Sequence, residues 1–188
     1  MTDTLQRLAD KEAIRDILLR YARGVDRRDW HLVRSAFFED AHDDHADFKG
    51  KRDDFIAWLR ERHDVPDFVQ STHVLANCLI EFGTTGVAAV ETYFIAKLEL
   101  GPGAGGHRAM LDATHADSQQ NIRMEILGRY VDRFEQRGGE WRIARRRTVF
   151  DAIQSQLVDP GSLNEAWTLG TRGASDTVYV VRKEAGVP

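Results

Sequence analysis

The chain has 188 residues, 42% hydrophobic and 30% charged, which is material for one compact domain of ordinary size. Its 26 Lys and Arg against 30 Asp and Glu give a formal charge of -4 and no basic field for nucleic acid. The one cysteine, Cys78, excludes an internal disulfide and a cysteine-rich zinc site, and no apolar run reaches membrane-span length, so a cytoplasmic protein without a membrane anchor is expected.

Ile14, Ile17, Leu18, Tyr21, Ala22 and Val25 form one apolar stripe at helical spacing, with Lys11, Arg15, Asp16, Arg20 and Arg23 on the outer face. Gly24 weakens helix continuation, and Asp26 to Asp29 form a polar turn before a second short helical set, Trp30, Val33 and Phe37. The run from Asp40 to Asp47 is rich in metal-ligand types. His42 and His45 are three apart with no helix beneath them and no metal motif around them, so a solvated acidic loop is the expectation. A third helix after Gly50 opens with Asp53 and Asp54 where the dipole favours anions and buries Phe55, Ile56 and Leu59.

After Pro66 the period changes from 3.6 to 2, predicting strands over 72–82, 87–100, 121–136 and 140–152. The short glycine-bearing turns at 83–86 and 137–139 join neighbours as antiparallel hairpins, because a parallel crossover needs a dozen or more residues. Helices first and a meander second predict an α+β fold, its curved sheet wrapped around a pocket that the helices close. Residues 101–120 form a glycine-rich, then polar stretch read as a mobile lid, a disordered segment or a variable surface loop without a role, with GPGAGG leading into no convincing helix. Beyond it, Ser162 to Glu165 is a capping-box pattern for one helical turn toward Trp167, and Thr177 to Arg182 reads as an edge or swapped strand.

Alternation assigns the strand faces. Thr72, Val74, Ala76, Cys78, Ile80 and Phe82 make an apolar face, opposite His73, Leu75, Asn77, Leu79 and Glu81. Ala88 to Leu100 and Ile122 to Phe134 present further apolar faces, the latter with Asp132 as its one charge. Apolar residues on both sides of the sheet predict a homo-oligomer. Arg145, Arg146 and Arg147 put a cation on each face, and phase does not choose which one points inward. His73 is the candidate base, since an ordinary imidazole titrates near neutral pH, and it needs a carboxylate to orient it. Asp26 suits that role in chain position, yet lies about 110° from the centre of the apolar stripe, at the rim unless the helix unwinds at Gly24. Tyr21, within the stripe, offers a hydroxyl. A lone inward histidine is more often a satisfied structural residue.

IRDILLRYARGVDRRDW, the STHVLAN strand start, GRYVDRFEQRGGEWRIARRR and the terminal Asp151 together resemble the SnoaL-like branch of the nuclear transport factor 2 like superfamily, over roughly residues 5 to 152. The parallels within it are scytalone dehydratase, bile acid 7α-dehydratase and lindane dehydrochlorinase. The resemblance implies a cone-shaped barrel of a curved, largely antiparallel sheet closed by three N-terminal helices in residues 1–152, an extension over 153–188 packing on the domain or a partner, and a homodimer or homotrimer. It also implies a catalytic Asp26–His73 dyad, with Tyr21 at a tyrosine of the bile acid enzyme's pattern and Arg146 at a pocket arginine of the dehydrochlorinase. The dehydrochlorinase's lysine, which falls at Tyr21, and the bile acid enzyme's further aspartate have no counterpart here, which disfavours halide elimination and the bile acid substrate.

Tyr130 matches an aromatic pocket wall, and Trp30, Phe55 and Leu75 complete the expected substrate-binding set. With no nucleophile elbow, phosphate loop or dinucleotide fingerprint, the implied activity is a cofactor-independent and metal-independent dehydratase or isomerase acting on a hydrophobic cyclic hydroxy-ketone, steroid-like, terpenoid or polyketide. The alternatives are a small-ligand binder and a structural subunit of a ring-hydroxylating dioxygenase.

Overall fold

The first helix does not break at Gly24. In the computed structural model, which describes residues 2–111, 118–159, 161 and 163–187, α1 runs Thr2–Arg27. Gly24 serves close packing instead: a Cβ there would lie 2.7 Å from Val33 Cγ2 on α2 (Trp30–Ser35). The helix ends with Asp29 N donating to Gly24 O (2.8 Å) and Arg28 N to Val25 O (3.3 Å), a Schellman-type cap. Arg28 takes the left-handed position (φ 56) that glycine usually fills. Asp29 then caps α2 by accepting from Leu32 N.

There follow β1 (Phe37–His45), β2 (Phe48–Lys51), α3 (Arg52–His63), β3 (Phe68–Phe82), β4 (Val87–Leu100), α4 (Gly105–Arg108), β5 (Asn121–Arg137), β6 (Glu140–Val158) and α5 (Thr177–Glu184). One six-stranded sheet has the order β2-β1-β6-β5-β4-β3. It is mixed, with β1 and β6 parallel and the other pairs antiparallel. The fold is α+β and cone-like, as expected, although the sheet stays open and does not close into a barrel. The helices line its inner side, α1 against β3 and β6 and α3 against β1 and β2.

The expected acidic loop is instead strand β1, and the second helix stops before Phe37. Phe37, Ala41 and Asp43 point inward and are buried, while His42 is exposed on the other face, so His42 and His45 cannot share one ion. Alternation was hidden there because one of the inward residues is an aspartate.

Inner faces on β4 and β5 follow simple alternation, from Ala88 to Leu100 and from Ile122 to Phe134. On β3 and β6 they do not. Leu75 pairs with Phe94 but Cys78 with Thr92, so β3 carries one extra residue at 76–77. Before this bulge the inner residues are Ser71, His73 and Leu75; after it they are Cys78, Ile80 and Phe82. Thr72, Val74 and Ala76 therefore face outward, against the uniform apolar face expected. In β6, Arg145 pairs with Arg133 and Ile143 with Phe134, and the extra residue, Ala144, turns Arg146 inward.

β6 continues past residue 152 to Val158. The tail returns across the end of α1, and Thr177 begins a helix, not the expected strand, because Asp176 caps it through Val178 N (3.0 Å). Ser162 lies outside the described residues, and Asn164 makes a turn to Trp167 N (3.0 Å) with no helix beyond it. Residues 112–117, part of the expected lid or loop, are also outside them; the stretch before them contains the one-turn α4. Leu79, Tyr93, Leu127 and Val131 are exposed on the outer sheet face. No helix among the described residues is long and apolar enough to cross a membrane.

Candidate active site

Between the concave sheet and helices α1 and α3 lies a cavity of about 50 Å³, the volume of one or two waters. Its sheet side is built by His45 of β1, Phe150 of β6, Tyr130 and Ile126 of β5, Phe94 of β4 and His73 of β3. Tyr21 and Val25 come from α1, Trp58, Leu59 and His63 from α3, and His107 and Met110 from α4 and the residues after it.

Asp26 and His73 meet directly. His73 Nδ1 lies 2.7 Å from Asp26 Oδ1, the His73 backbone N–H donates to Oδ2 (2.9 Å) and the Ser71 hydroxyl donates to Oδ1 (2.8 Å). An acceptor-only carboxylate at Nδ1 assigns the proton to that nitrogen and leaves Nε2 for chemistry. Burial pushes Asp26 up, but the His73 charge, the His73 ring and backbone hydrogen bonds and Ser71 outweigh it and hold the carboxyl below the ordinary range. Asp26 is 8% exposed although off the apolar stripe, because β3 packs on that flank of an unbroken α1.

Tyr21 and Tyr130 contact edge to face (5.6 Å), and Phe94 stacks on Tyr130 at 4.4 Å. Gly128 makes that stack possible, since a Cβ there would lie 2.7 Å from Phe94 Cζ. Burial pushes both phenols well up, against the pull of the Arg146 charge, so both remain hydrogen-bond donors at neutral pH.

Arg146 is the inward arginine, as the resemblance implied, but it does not reach the cavity wall. Its Nε and Nη2 are bound to Asp132 (2.8 and 2.7 Å), and its guanidinium lies 4.2 Å from the Tyr21 ring centre and 4.0 Å from that of Tyr130. Burial works against its charge, yet Asp132 holds it protonated. Direct contact with a substrate oxygen gives way to a position behind the two tyrosines.

Of the remaining expected residues, Tyr130 is on the wall. Trp30 packs edge-on against His63 (6.1 Å), and Phe55 sits behind the wall among Phe37, His45, Phe48 and Trp58. Leu75 lines an outer groove of about 240 Å³ that shares Asp26 and His73.

Sequence reasoning missed Ser71, whose signal was its position two before His73, and three wall histidines. His45 Nδ1 is 2.9 Å from Thr148 Oγ1 and 3.6 Å from Asp43 Oδ1. Both Asp43 carboxylate oxygens are buried without a hydrogen-bond partner among the described residues. His63 stacks on Phe68 and His107 meets both rings edge to face, with ring centres 4.5 to 4.8 Å apart. Burial first, then nearby cations, pushes both imidazoles below the ordinary range, His107 to about 3.

Residues 6–147 match the SnoaL-like domain family. No curated protein matches the chain. Among solved structures, a scytalone dehydratase-like protein from Novosphingobium aromaticivorans DSM 12444 is 19% identical with TM-score 0.65, covering 88% of this chain and 100% of its own. The hexachlorocyclohexane dehydrochlorinase LinA-type3 from Novosphingobium barchaimii LL02 is 20% identical with TM-score 0.66, covering 84% and 99%. LinA itself is 21% identical with TM-score 0.69, covering 87% and 100%. These likenesses establish the fold, and the match over residues 6–147 establishes the family: the chain belongs to the SnoaL-like domain family of the nuclear transport factor 2 like superfamily.

Proposed function

We propose that the protein is a cofactor-independent lyase of the dehydratase type, acting on a hydrophobic cyclic hydroxy-ketone by His–Asp acid–base catalysis. The observation that carries this reading is the Asp26–His73 pair at 2.7 Å, on a cavity that also holds the two protonated phenols of Tyr21 and Tyr130. His73 Nε2 takes the proton α to the carbonyl, and Asp26 stabilises the imidazolium. A tyrosine hydroxyl donates to the carbonyl oxygen as enolate charge develops. Collapse of the enolate expels the β-hydroxyl, which receives the His73 proton and leaves as water. Double-bond migration shares the first transfer and differs in returning the proton to carbon, so isomerisation is the companion reading.

A ring enters a cavity of about 50 Å³ only if side chains yield, and Met110 on its wall is the most adaptable of them. The names of the similar structures point the same way, toward elimination on cyclic compounds. We also propose a homodimer or homotrimer formed through the exposed apolar outer face; a monomer in sedimentation at micromolar concentration would remove that part.

The test is enone formation from a panel of cyclic β-hydroxy-ketones, followed by ultraviolet absorbance. His73→Ala should lose about 10²- to 10⁴-fold in turnover. Full turnover in a folded His73→Ala variant would sink the mechanism.

A further inference from the structure

We propose that Arg172, in the tail beyond the family-matched region, is a positioning residue for the acid–base pair: its guanidinium ties the end of α1 to β3 and α3. The proposal rests on the dyad reading above and deepens it.

A helix leaves its last carbonyls without internal partners, and the Schellman-type cap of α1 takes only those of Gly24 and Val25. Arg172 supplies the next one. Its Nε donates to the carbonyl of Asp26 itself (3.2 Å), and Nη2 donates to Val25 O (3.4 Å). Nη1 donates to Phe68 O (3.1 Å), at the start of the strand that carries Ser71 and His73. Nη2 also donates to His63 Nδ1 (3.1 Å), at the end of α3. The guanidinium plane rests on Phe68, 4.2 Å from the ring centre. One planar fork thus joins the three elements that supply Asp26, His73 and His63, and its cation sits at the negative end of a 26-residue helix.

The tail is held in return. The strained, left-handed Arg28 donates to Arg172 O (2.6 Å), Arg27 pairs with Asp176 (3.1 Å) and Tyr179 OH donates to Asp29 Oδ2 (3.1 Å). Every one of these contacts is to the last turn of α1 or the turn after it. Burial and the neighbouring Arg28 charge push Arg172 down to about 10, which leaves it cationic at neutral pH.

Positioning differs from simple bracing because the Asp26 carboxylate must meet two groups of β3 together, His73 Nδ1 and the His73 amide. Rotation of the last turn of α1 against β3 would break that double contact while leaving the core intact. A lysine cannot replace Arg172, since one ammonium does not span four acceptors on three elements.

The test uses the full chain and proton NMR. A hydrogen bond from imidazole Nδ1–H to a buried carboxylate gives a far-downfield resonance, which for His73 is assigned by its loss in Asp26→Asn. In Arg172→Ala and Arg172→Lys this resonance should broaden into exchange with water, and His73 amide protection should fall roughly tenfold or more. Trp167→Ala, in an exposed part of the same tail, should leave both unchanged. Asp176→Ala loosens the strap without touching the α1 carbonyls and should weaken the signal should Arg172→Ala fail to fold. A folded Arg172→Ala protein with an unshifted, sharp resonance and unchanged His73 protection overturns the proposal, even if its unfolding temperature has dropped. Absence of the resonance from the unmodified protein instead overturns the dyad reading, so the two failures are distinguishable.

Discussion

Arg146 and Asp132 occupy paired positions on adjacent strands and form a two-point ion pair whose side chains are both fully buried. Such a pair is costly to assemble and far more costly to break on one side, since the surviving charge has no water to turn to. Asp132→Asn or Arg146→Met should therefore lose about 3–5 kcal/mol in urea denaturation, and the double variant Asp132→Leu/Arg146→Met should recover much of it. Additive losses in the double variant would contradict this account.

Asp43 is the opposite case. Among the described residues neither of its buried carboxylate oxygens is hydrogen-bonded, its one ion-pair contact being His45 Nδ1 at 3.6 Å, and beside Arg146 on the neighbouring strand it makes, with Asp132, two interior carboxylates for that guanidinium. Asp43→Asn removes that excess charge and should leave stability unchanged or raise it by about 1–2 kcal/mol. A loss as large as that of Asp132→Asn would show that the His45 contact at 3.6 Å, and not the absence of a hydrogen bond, decides the energetics of Asp43.

The dyad sets an acid limit. A carboxyl whose folded-state value is depressed adds stability above its unfolded value, 3.8 here, and that stability is lost as pH falls through the lower folded value. The stability difference between the unmodified protein and Asp26→Asn should accordingly be full at pH 5 and above and shrink below pH 4, as urea titrations at stepped pH would show.

His63 and His107 act in a different window. Both are held neutral by burial, so below the ordinary imidazole value of 6.5 the unfolded chain binds protons that the folded one refuses. Stability is complete above pH 6.5 and declines on acidification, for His107 down to about 3. Each ring contributes a slope of up to about 1.4 kcal/mol per pH unit. His107→Phe should flatten the decline between pH 6.5 and 4.5; an unchanged slope would mean that the ring titrates freely in the fold.

Much of the fold was legible because ordinary rules hold where the chain is regular. The α1 stripe and the inner faces of β4 and β5 follow from spacing alone. What escaped has physical causes. β1 carries its inward Asp43 where alternation requires an apolar residue, so strand and loop look alike. Asp26 was expected at the rim because one helix was considered without β3 beside it. In α5, Val178, Val180 and Val181 favour a strand, and the Asp176 cap decides otherwise. Arg172 gave no signal at all, since its partners are backbone carbonyls far away in sequence.

The extra residues at 76–77 in β3 and at Ala144 in β6 work like a shift of reading frame in three dimensions. Substitutions change what a face displays, whereas one residue gained or lost changes which residues the face displays. Deleting Ala144 would send Arg146 outward and offer Asp132 a neighbouring arginine, although all three arginines of the run would remain. The interior of this cone is thus more exposed to single-codon insertion and deletion than to point change, and length variation in these two strands is a short path from one arrangement of inward-facing groups to another.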